Sequence, residues 1–317
     1  MDLSVIIVNF NTRDLLRDCL VSVFKETSSL DIEVTVVDNA SGDGSAEMVR
    51  SSFPQVQLVC SEENLGFARA NNLAIPQAKG EIVVLLNPDT VVKDRALERL
   101  VEYLRAHPEV GAAGPDLPEP SGILQVAACG YRPTVWRAFC QYFFLTRLFP
   151  RSRLFRGLNI PAGAYTEPVS VEWLSGACLA APRRVWQEVG LLDESWFMFA
   201  EDMEWCERVL GRGYELHYLP DVVVYHIWGA SSKGSPEAVS TMWLNSLAAW
   251  YGRSHSCVSC AALLLILSAG MRFRYLVNIA RAARRDDSRL RFEALYQRKC
   301  ATHAASLAAE CIRGRQP

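Results

Sequence analysis

Residues 3–26, "LSVIIVNFNTRDLLRDCLVSVFKE", decide the class of fold. The opening run "LSVIIVNF" is too apolar for a strand with one wet face, so it reads as a strand buried on both sides. After a short polar turn, Leu15, Leu16, Cys19, Leu20, Val23 and Phe24 recur at the spacing of one helical face. Thr12 stands where an N-cap belongs. The same order then repeats. "IEVTVVDN" reads as a strand, "ASGDGS" as a turn, "AEMVRSSF" as a helix and "VQLVCSE" as a third strand; past "NLGFARANNLAI", "EIVVLLN" is again wholly apolar. This alternation predicts an α/β fold with a mainly parallel central sheet flanked by helices. Ligands on such sheets gather at the carboxyl ends of the strands.

Those ends share a chemistry. The first strand ends at Asn9 and Asn11, the second at Asp38 and Asn39, and the fourth at Asn87 and Asp89, with Asn64 just past the third. Asn and Asp favour turns at any strand end, but four ends so furnished point to one edge of one sheet. A dinucleotide site is excluded. "NFNTRD" has no glycine to let a pyrophosphate approach the backbone, and Gly42 and Gly44 lack the third glycine of the fingerprint. The same loop lacks the glycine-rich, basic character that a nucleotidyltransferase would need for a triphosphate.

The 317 residues can hold two domains, and 50% hydrophobic with 21% charged residues is an ordinary globular balance. The net charge of −2 predicts no nucleic acid partner. From Met271 onward, however, eleven Lys or Arg face four Asp or Glu. Just before that basic tail, residues 256–271 carry no charge. As a helix they span about 24 Å, short of a bilayer core of about 30 Å. They are expected either to pack on the domain or to lie on an anionic membrane surface, with Arg272, Arg274, Arg281, Arg284 and Arg285 beside it. "MDLSVIIVNFN" has no signal-peptide features, and ten cysteines form no regular framework. Reduced thiols in a cytoplasmic protein, peripheral at the inner face of the cell membrane, are the expectation. "CVSC" at 257–260 has metal-like spacing but no second pair to complete a zinc site.

Two further stretches carry chemistry. "LLNPDT" ends a buried strand with Asp89 set in a turn by Pro88, a rigid position from which a carboxylate can hold a hard divalent cation. His226 ends "DVVVYH" and is an acceptable ligand for such an ion; the small, polar "IWGASS" after it suits an open pocket. "SWFMFAEDMEWCERV", residues 195–209, sets four acids among aromatic rings. That pattern fits a helix start whose acids complement the dipole, and also a general base at a pocket edge.

In order along the chain, "VIIVNFNT", "VVDNASGDGS", "NLGFARANN", "LLNPDT", "WLSGACLAAPR", "LLDESWFMFAEDMEWCER" and "LPDVVVYH" resemble the family 2 inverting glycosyltransferases of GT-A fold, in their bacterial rhamnosyltransferase-like branch. The resemblance covers over half of the chain. It implies that Val8, Asn9, Asn11, Asp38, Asn39, Ser41, Asn64, Gly66, Phe67, Asn71, Asn87 and Pro88 bind the nucleotide or donor. Asp89, in an N-P-D form of the family's D-x-D element, and His226 would hold Mg²⁺ or Mn²⁺, and Asp202 would be the catalytic base. Trp173, Gly176, Trp196 and Glu201 would meet the acceptor. The implied donor is a nucleotide-diphospho-sugar, dTDP-L-rhamnose or a UDP-sugar, and the implied acceptor a saccharide or polyprenyl-diphosphate-linked saccharide. A UDP-hexose or galactofuranose transferase, and a non-catalytic sugar- or nucleotide-binding protein, are the alternatives. Two departures stand out: Glu204 replaces the family's usual Asp, and Pro76 interrupts the helix after "ARANN". The expected domains are a catalytic domain at 1–235 and a helical, basic extension at 236–317. The former comprises a nucleotide-binding half at 1–114, a variable insert at 115–170 and an acceptor half at 171–235.

Overall fold

The computed structural model describes residues 1–119, 128–161, 163–227, 240–285 and 287–314. The chain falls into two compact units, residues 1–129 with 165–231, and residues 130–164 with 232–317. The insert anticipated at 115–170 is thus divided, its residues 130–164 grouping with the C-terminal helices. The "IWGASS" stretch lies, from Trp228 onward, outside the described residues.

The first unit begins as the sequence suggests. β1 (Leu3–Asn9), α1 (Arg13–Glu26), β2 (Ile32–Asp38), α2 (Ser45–Ser52), β3 (Gln57–Cys60), α3 (Gly66–Ala74) and β4 (Ile82–Leu86) follow in turn. Then come β5 (Thr90–Val92), α4 (Ala96–Ala106), β6 (Val110–Asp116) and a short β7 (Cys129–Gly130). β8 (Val169–Val171), β9 (Trp173–Leu174), β10 (Cys178–Pro182), α7 (Arg183–Val189), α8 (Glu201–Gly211) and β11 (Glu215–His226) complete it. The sheet order is β3-β2-β1-β4-β10-β6-β11-β5, with β8 also on β11. β1, β2, β3 and β4 are parallel, as are β6 and β11, while β10 runs antiparallel between β4 and β6.

Register sets the functional edge. Asn9 lies opposite Asp38 in the β1–β2 ladder, and Leu86, just before Asn87, lies opposite Cys178 on β10. β11 crosses the sheet parallel to β6 and then pairs antiparallel with β5, which sets His226 opposite Thr90 and hence beside Asp89. Every residue of β4 is buried, which explains its unbroken apolar run. Leu16, Cys19, Leu20 and Val23 are the face that α1 turns to the core. α3 ends at Ala74, and a single 3₁₀ turn carries Pro76. A proline lacks the N–H needed to continue the helix. Thr12 is the N-cap residue of α1, as expected, but its hydroxyl makes no capping bond and donates to Asn9 Oδ1 (2.7 Å) instead.

The second unit is helical: α5 (Val135–Tyr142), α6 (Leu145–Leu148), α9 (Met242–Gly252), α10 (Cys257–Arg285) and α11 (Ser288–Ile312). The charge-free run is the first part of α10, whose 29 residues extend about 43 Å. By length and a mean hydropathy of 1.6 this helix could cross a membrane. Part of its apolar surface is used inside the unit, however. Cys260, Leu263, Leu264, Leu267 and Met271 are buried, and α11 brings a row of buried small residues, Ala294, Ala301, Ala304 and Ala308. Ser268 Oγ donates across to Ala301 O (2.8 Å). Packing thus claims about half of the run that was expected either to pack or to meet lipid, while Val258 and Leu265 stay exposed. All ten cysteines are free thiols, and Cys257–Cys260 belongs to no cluster of metal-binding side chains among the described residues.

Candidate functional site

The carboxyl ends of β1 and β2 are tied by side chains as well as by the backbone bond from Asn39 N to Asn9 O (2.8 Å). Asn9, fully buried, donates through Nδ2 to Asp38 Oδ1 (2.9 Å) and Ser41 Oγ (3.0 Å). Asp38 Oδ2 accepts from Ser41 N (3.2 Å), and Asn11 Oδ1 accepts from Gly42 N (2.8 Å). Asn39 turns the other way, donating to Asn64 Oδ1 (2.9 Å) and Gly66 O (3.1 Å) while accepting from Leu65 N (2.8 Å). Buried polar groups need partners, and here they find them in one another, which fixes the loops as a rigid rim. Val8 is half-buried on β1 beside this rim.

Gly66 is the joint between that rim and the loop before α8. Its φ is +78°, and a Cβ there would stand 2.4 Å from Phe197 O. The same carbonyl accepts from Phe67 N (2.8 Å). Gly66→Ala would meet both a left-handed backbone, costing about 1–2 kcal/mol, and a collision with main chain. We expect it to lower thermal stability and weaken nucleotide binding together, as read by melting with and without nucleotide.

The cation candidates meet. His226 Nε2 lies 3.1 Å from Asp89 Oδ1 and 3.4 Å from Asn87 Nδ2. Ile227 N donates to Asp89 O (2.8 Å), so backbone and side chain both lock β11 to the Pro88 turn. His226 is buried, Asp89 is about one-fifth exposed, and no third acid, histidine or cysteine joins them among the described residues. The separation of 3.1 Å is about that of adjacent donors on an octahedron with bonds of about 2.1 Å. One hard oxygen and one imidazole nitrogen fit Mg²⁺ or Mn²⁺ and leave its other positions to ligand and water.

Asp202 stands in the first turn of α8. Its Oδ2 accepts from Gly176 N (3.0 Å) and its Oδ1 from its neighbour Met203 N (2.8 Å). The next residue, Ala177, accepts from Asn87 N (2.9 Å). A single dipeptide, Gly176–Ala177, therefore links Asp202 to the Asn87–Asp89 turn. A Cβ on Gly176 would come 3.0 Å from the Phe67 ring, so this glycine also lets α3 close on the site. Phe199 and Ala200, just ahead of α8, have φ of 64° and 93°. Non-glycine residues in this region are strained, and such strain collects at functional sites.

Burial raises the Asp202 pKa, against the two backbone donors that favour its charged form. Glu201 is more extreme. It is only 4% exposed, its Oε2 has no partner among the described residues, and burial with the neighbouring Asp202 charge pushes its pKa up to about 8. The folded protein therefore holds a proton that the unfolded chain releases above about pH 4.5. Stability should fall as pH rises from about 4.5 to 8 and level off above. Glu201→Gln should flatten that slope, gaining on the native chain by several kcal/mol across the window. Denaturant melts at successive pH values would check it; parallel slopes would count against a buried, protonated Glu201.

Several expected residues are otherwise engaged. Asn71 is buried and its amide donates to Phe67 O (2.9 Å) within α3. Trp196 is buried and Trp173 half-buried, whereas Phe197 and Met198 are the exposed side chains of the loop. Glu204, the departure from the family pattern, pairs with Arg208 (2.8 Å), which also donates to Val189 O (2.8 Å) and Leu191 O (2.6 Å). That pairing braces the α7–α8 loop. Sequence reasoning passed over Asn72, whose amide donates to Leu192 O (2.9 Å) and Glu194 Oε1 (3.0 Å) and accepts from Leu192 N (3.1 Å). Its only signal was a second Asn in "ARANN". The Phe197 carbonyl, as backbone, had no signal at all.

With this geometry in hand, similarity to known proteins can be placed on it. Residues 4–116 match the family described as Glycosyl transferase family 2. The chain is 30% identical over 213 residues to an N-acetylglucosaminyl-diphospho-decaprenol L-rhamnosyltransferase of Mycobacterium tuberculosis, a match covering 62% of this chain and 66%, just under two thirds, of that relative. It is 24% identical over 230 residues to the dTDP-rhamnosyl transferase RfbF of Shigella flexneri, over 72% of this chain and 69% of RfbF. Among solved structures, the mannosyltransferase PcManGT of Pyrobaculum calidifontis, in complex with GDP-Man and Mn²⁺, aligns at a TM-score of 0.60 and 20% identity. That alignment covers 97% of this chain and 86% of PcManGT, and it speaks for a shared GT-A fold. Residues 4–116 thus carry a glycosyl transferase family 2 domain, and the chain is similar to relatives named as rhamnosyltransferases.

Proposed function

We propose that this chain is a metal-dependent inverting glycosyltransferase that moves L-rhamnose from dTDP-rhamnose to a hydroxyl of a polyprenyl-diphosphate-linked saccharide at the cytoplasmic face of the membrane. The observation that carries it is the Gly176–Ala177 link. It ties Asp202, nominated as the base, to the turn that carries Asp89, which itself pairs with His226; this supports the reading. The names of the mycobacterial and Shigella relatives support the sugar, and the former supports the acceptor class.

Inversion needs one displacement at the anomeric carbon, with a base at the acceptor hydroxyl and charge stabilisation at the leaving diphosphate. Asp202 supplies the first. Its raised pKa makes it a stronger base than a free aspartate, while its two backbone donors favour the charged form and aim the carboxylate. Glu201, protonated at neutral pH, leaves the negative charge of the acidic pair on Asp202. Asp89 and His226 would hold Mg²⁺ or Mn²⁺, which when bound offsets charge on the diphosphate. Asp38, held by Asn9 and Ser41, would accept from the ring N–H of thymine or uracil.

Nucleotide choice tests this reading. Calorimetry with dTDP-rhamnose, UDP-glucose, UDP-galactofuranose and GDP-mannose, each with and without Mn²⁺, should give metal-dependent binding strongest for dTDP-rhamnose. Preference for a UDP-sugar would transfer the same site to the hexose or galactofuranose alternative.

A further inference from the structure

We infer that the second unit carries an anionic-membrane docking surface, and that it lies on the residue 130–164 segment, centred on "RLFPRSRL" at 147–154. Charge divides sharply between the units. The second holds nineteen Lys or Arg against five Asp or Glu, a net +14, and the first fourteen against thirty, a net −16. Within the second unit, residues 130–164 contain six arginines and no acid at all.

The same segment turns large apolar side chains outward, as α10 also does at Val258, Leu265 and Leu276. Trp136 is 47% exposed, Leu148 68%, Phe149 50% and Leu154 64%. They form one patch. Trp136 Nε1 donates to Leu154 O (2.8 Å), and the Phe155 ring lies 5.0 Å from that of Phe149 and 6.4 Å from that of Trp136. Arg147, Arg151 and Arg153 are exposed among them. The patch is presented on a firm base. Half-buried Arg274 of α10 donates to Tyr142 O (3.2 Å) and Gln141 O at the end of α5, and Phe143 stacks on Phe273 at 5.6 Å.

Exposed Trp, Phe and Leu interleaved with arginine, without a single acid, match the interface of an anionic bilayer. Rings and aliphatic groups enter the headgroup boundary while guanidinium groups meet lipid phosphate. A nucleic acid would use the arginines but leave Leu148 and Leu154 in water. For its purpose this surface rests on the lipid-linked acceptor proposed above; its test uses neither donor nor acceptor, so the two can fail separately.

Full-length protein would be floated with phosphatidylcholine vesicles with and without phosphatidylglycerol. Binding should require phosphatidylglycerol and weaken with salt. Combined Arg147→Gln, Arg151→Gln and Arg153→Gln should reduce it about a hundredfold. Combined Leu148→Ser, Phe149→Ser and Leu154→Ser should reduce it about tenfold or more. Circular dichroism and nucleotide binding would confirm that the variants are folded. In the native chain, hydrogen exchange over 147–154 should slow on vesicles. Native binding by both variants, equal binding to neutral vesicles, no protection over 147–154, or displacement from vesicles by duplex RNA would each overturn the inference.

Discussion

Asp202→Asn is expected to lower sugar transfer by about a thousandfold, the range over which a positioned general base acts, while nucleotide binding stays within about twofold of the native chain. The amide keeps the size of the side chain and its carbonyl can still accept from Gly176 N, so the α8 start should hold. What is lost is the ability to take the acceptor proton. The acidic limb of the pH–rate profile should track a carboxylate titrating above the ordinary aspartate range, because burial raises Asp202. Steady-state transfer assays beside calorimetry would separate the two effects. Loss of nucleotide binding in step with rate would instead make Asp202 a structural residue.

Asp89→Ala should fall as far by a different route. Removing this carboxylate leaves His226 alone among the residues nominated for the cation, while the backbone bond from Ile227 N to Asp89 O still holds the Pro88 turn to β11. We expect transfer to drop about a thousandfold, in keeping with the several kcal/mol that a Lewis acid contributes. Metal-dependent tightening of nucleotide binding should disappear with it. His226→Ala should give a weaker version of both. Mn²⁺ titrations followed by nucleotide affinity would show this directly. Native-like metal dependence in Asp89→Ala would place the ion elsewhere.

The sequence made the first unit largely legible because its strands are buried on both faces and so stand out as apolar runs. The Asn and Asp residues at four strand ends could be assigned to one edge before any coordinates, since parallel strands share a carboxyl edge. Asp89 and His226, 137 positions apart, do meet. Other features depend on packing that no short pattern encodes. Thr12 is the cap residue but its hydroxyl bonds Asn9, because Asn9 is buried and its oxygen needs a donor. Trp196 looked like a platform but is enclosed, and Phe197 faces solvent instead. The charge-free run was expected either to pack or to lie on lipid, and α11 offers small residues against which about half of it packs. The acid-free arginine segment was visible as composition only; its outward-facing Leu148, Phe149 and Leu154 emerged from the fold.

One assay bears most directly on the central claim: radiolabelled sugar from dTDP-rhamnose, Mn²⁺ and a polyprenyl-diphosphate-linked acceptor extract, run with native protein, Asp202→Asn, and native protein with EDTA. The site described here predicts label in the lipid-linked product and equivalent dTDP release for the native chain alone, with both lost in the variant and in the chelator. Donor binding with no transfer in any arm, or transfer undiminished in Asp202→Asn, would contradict it.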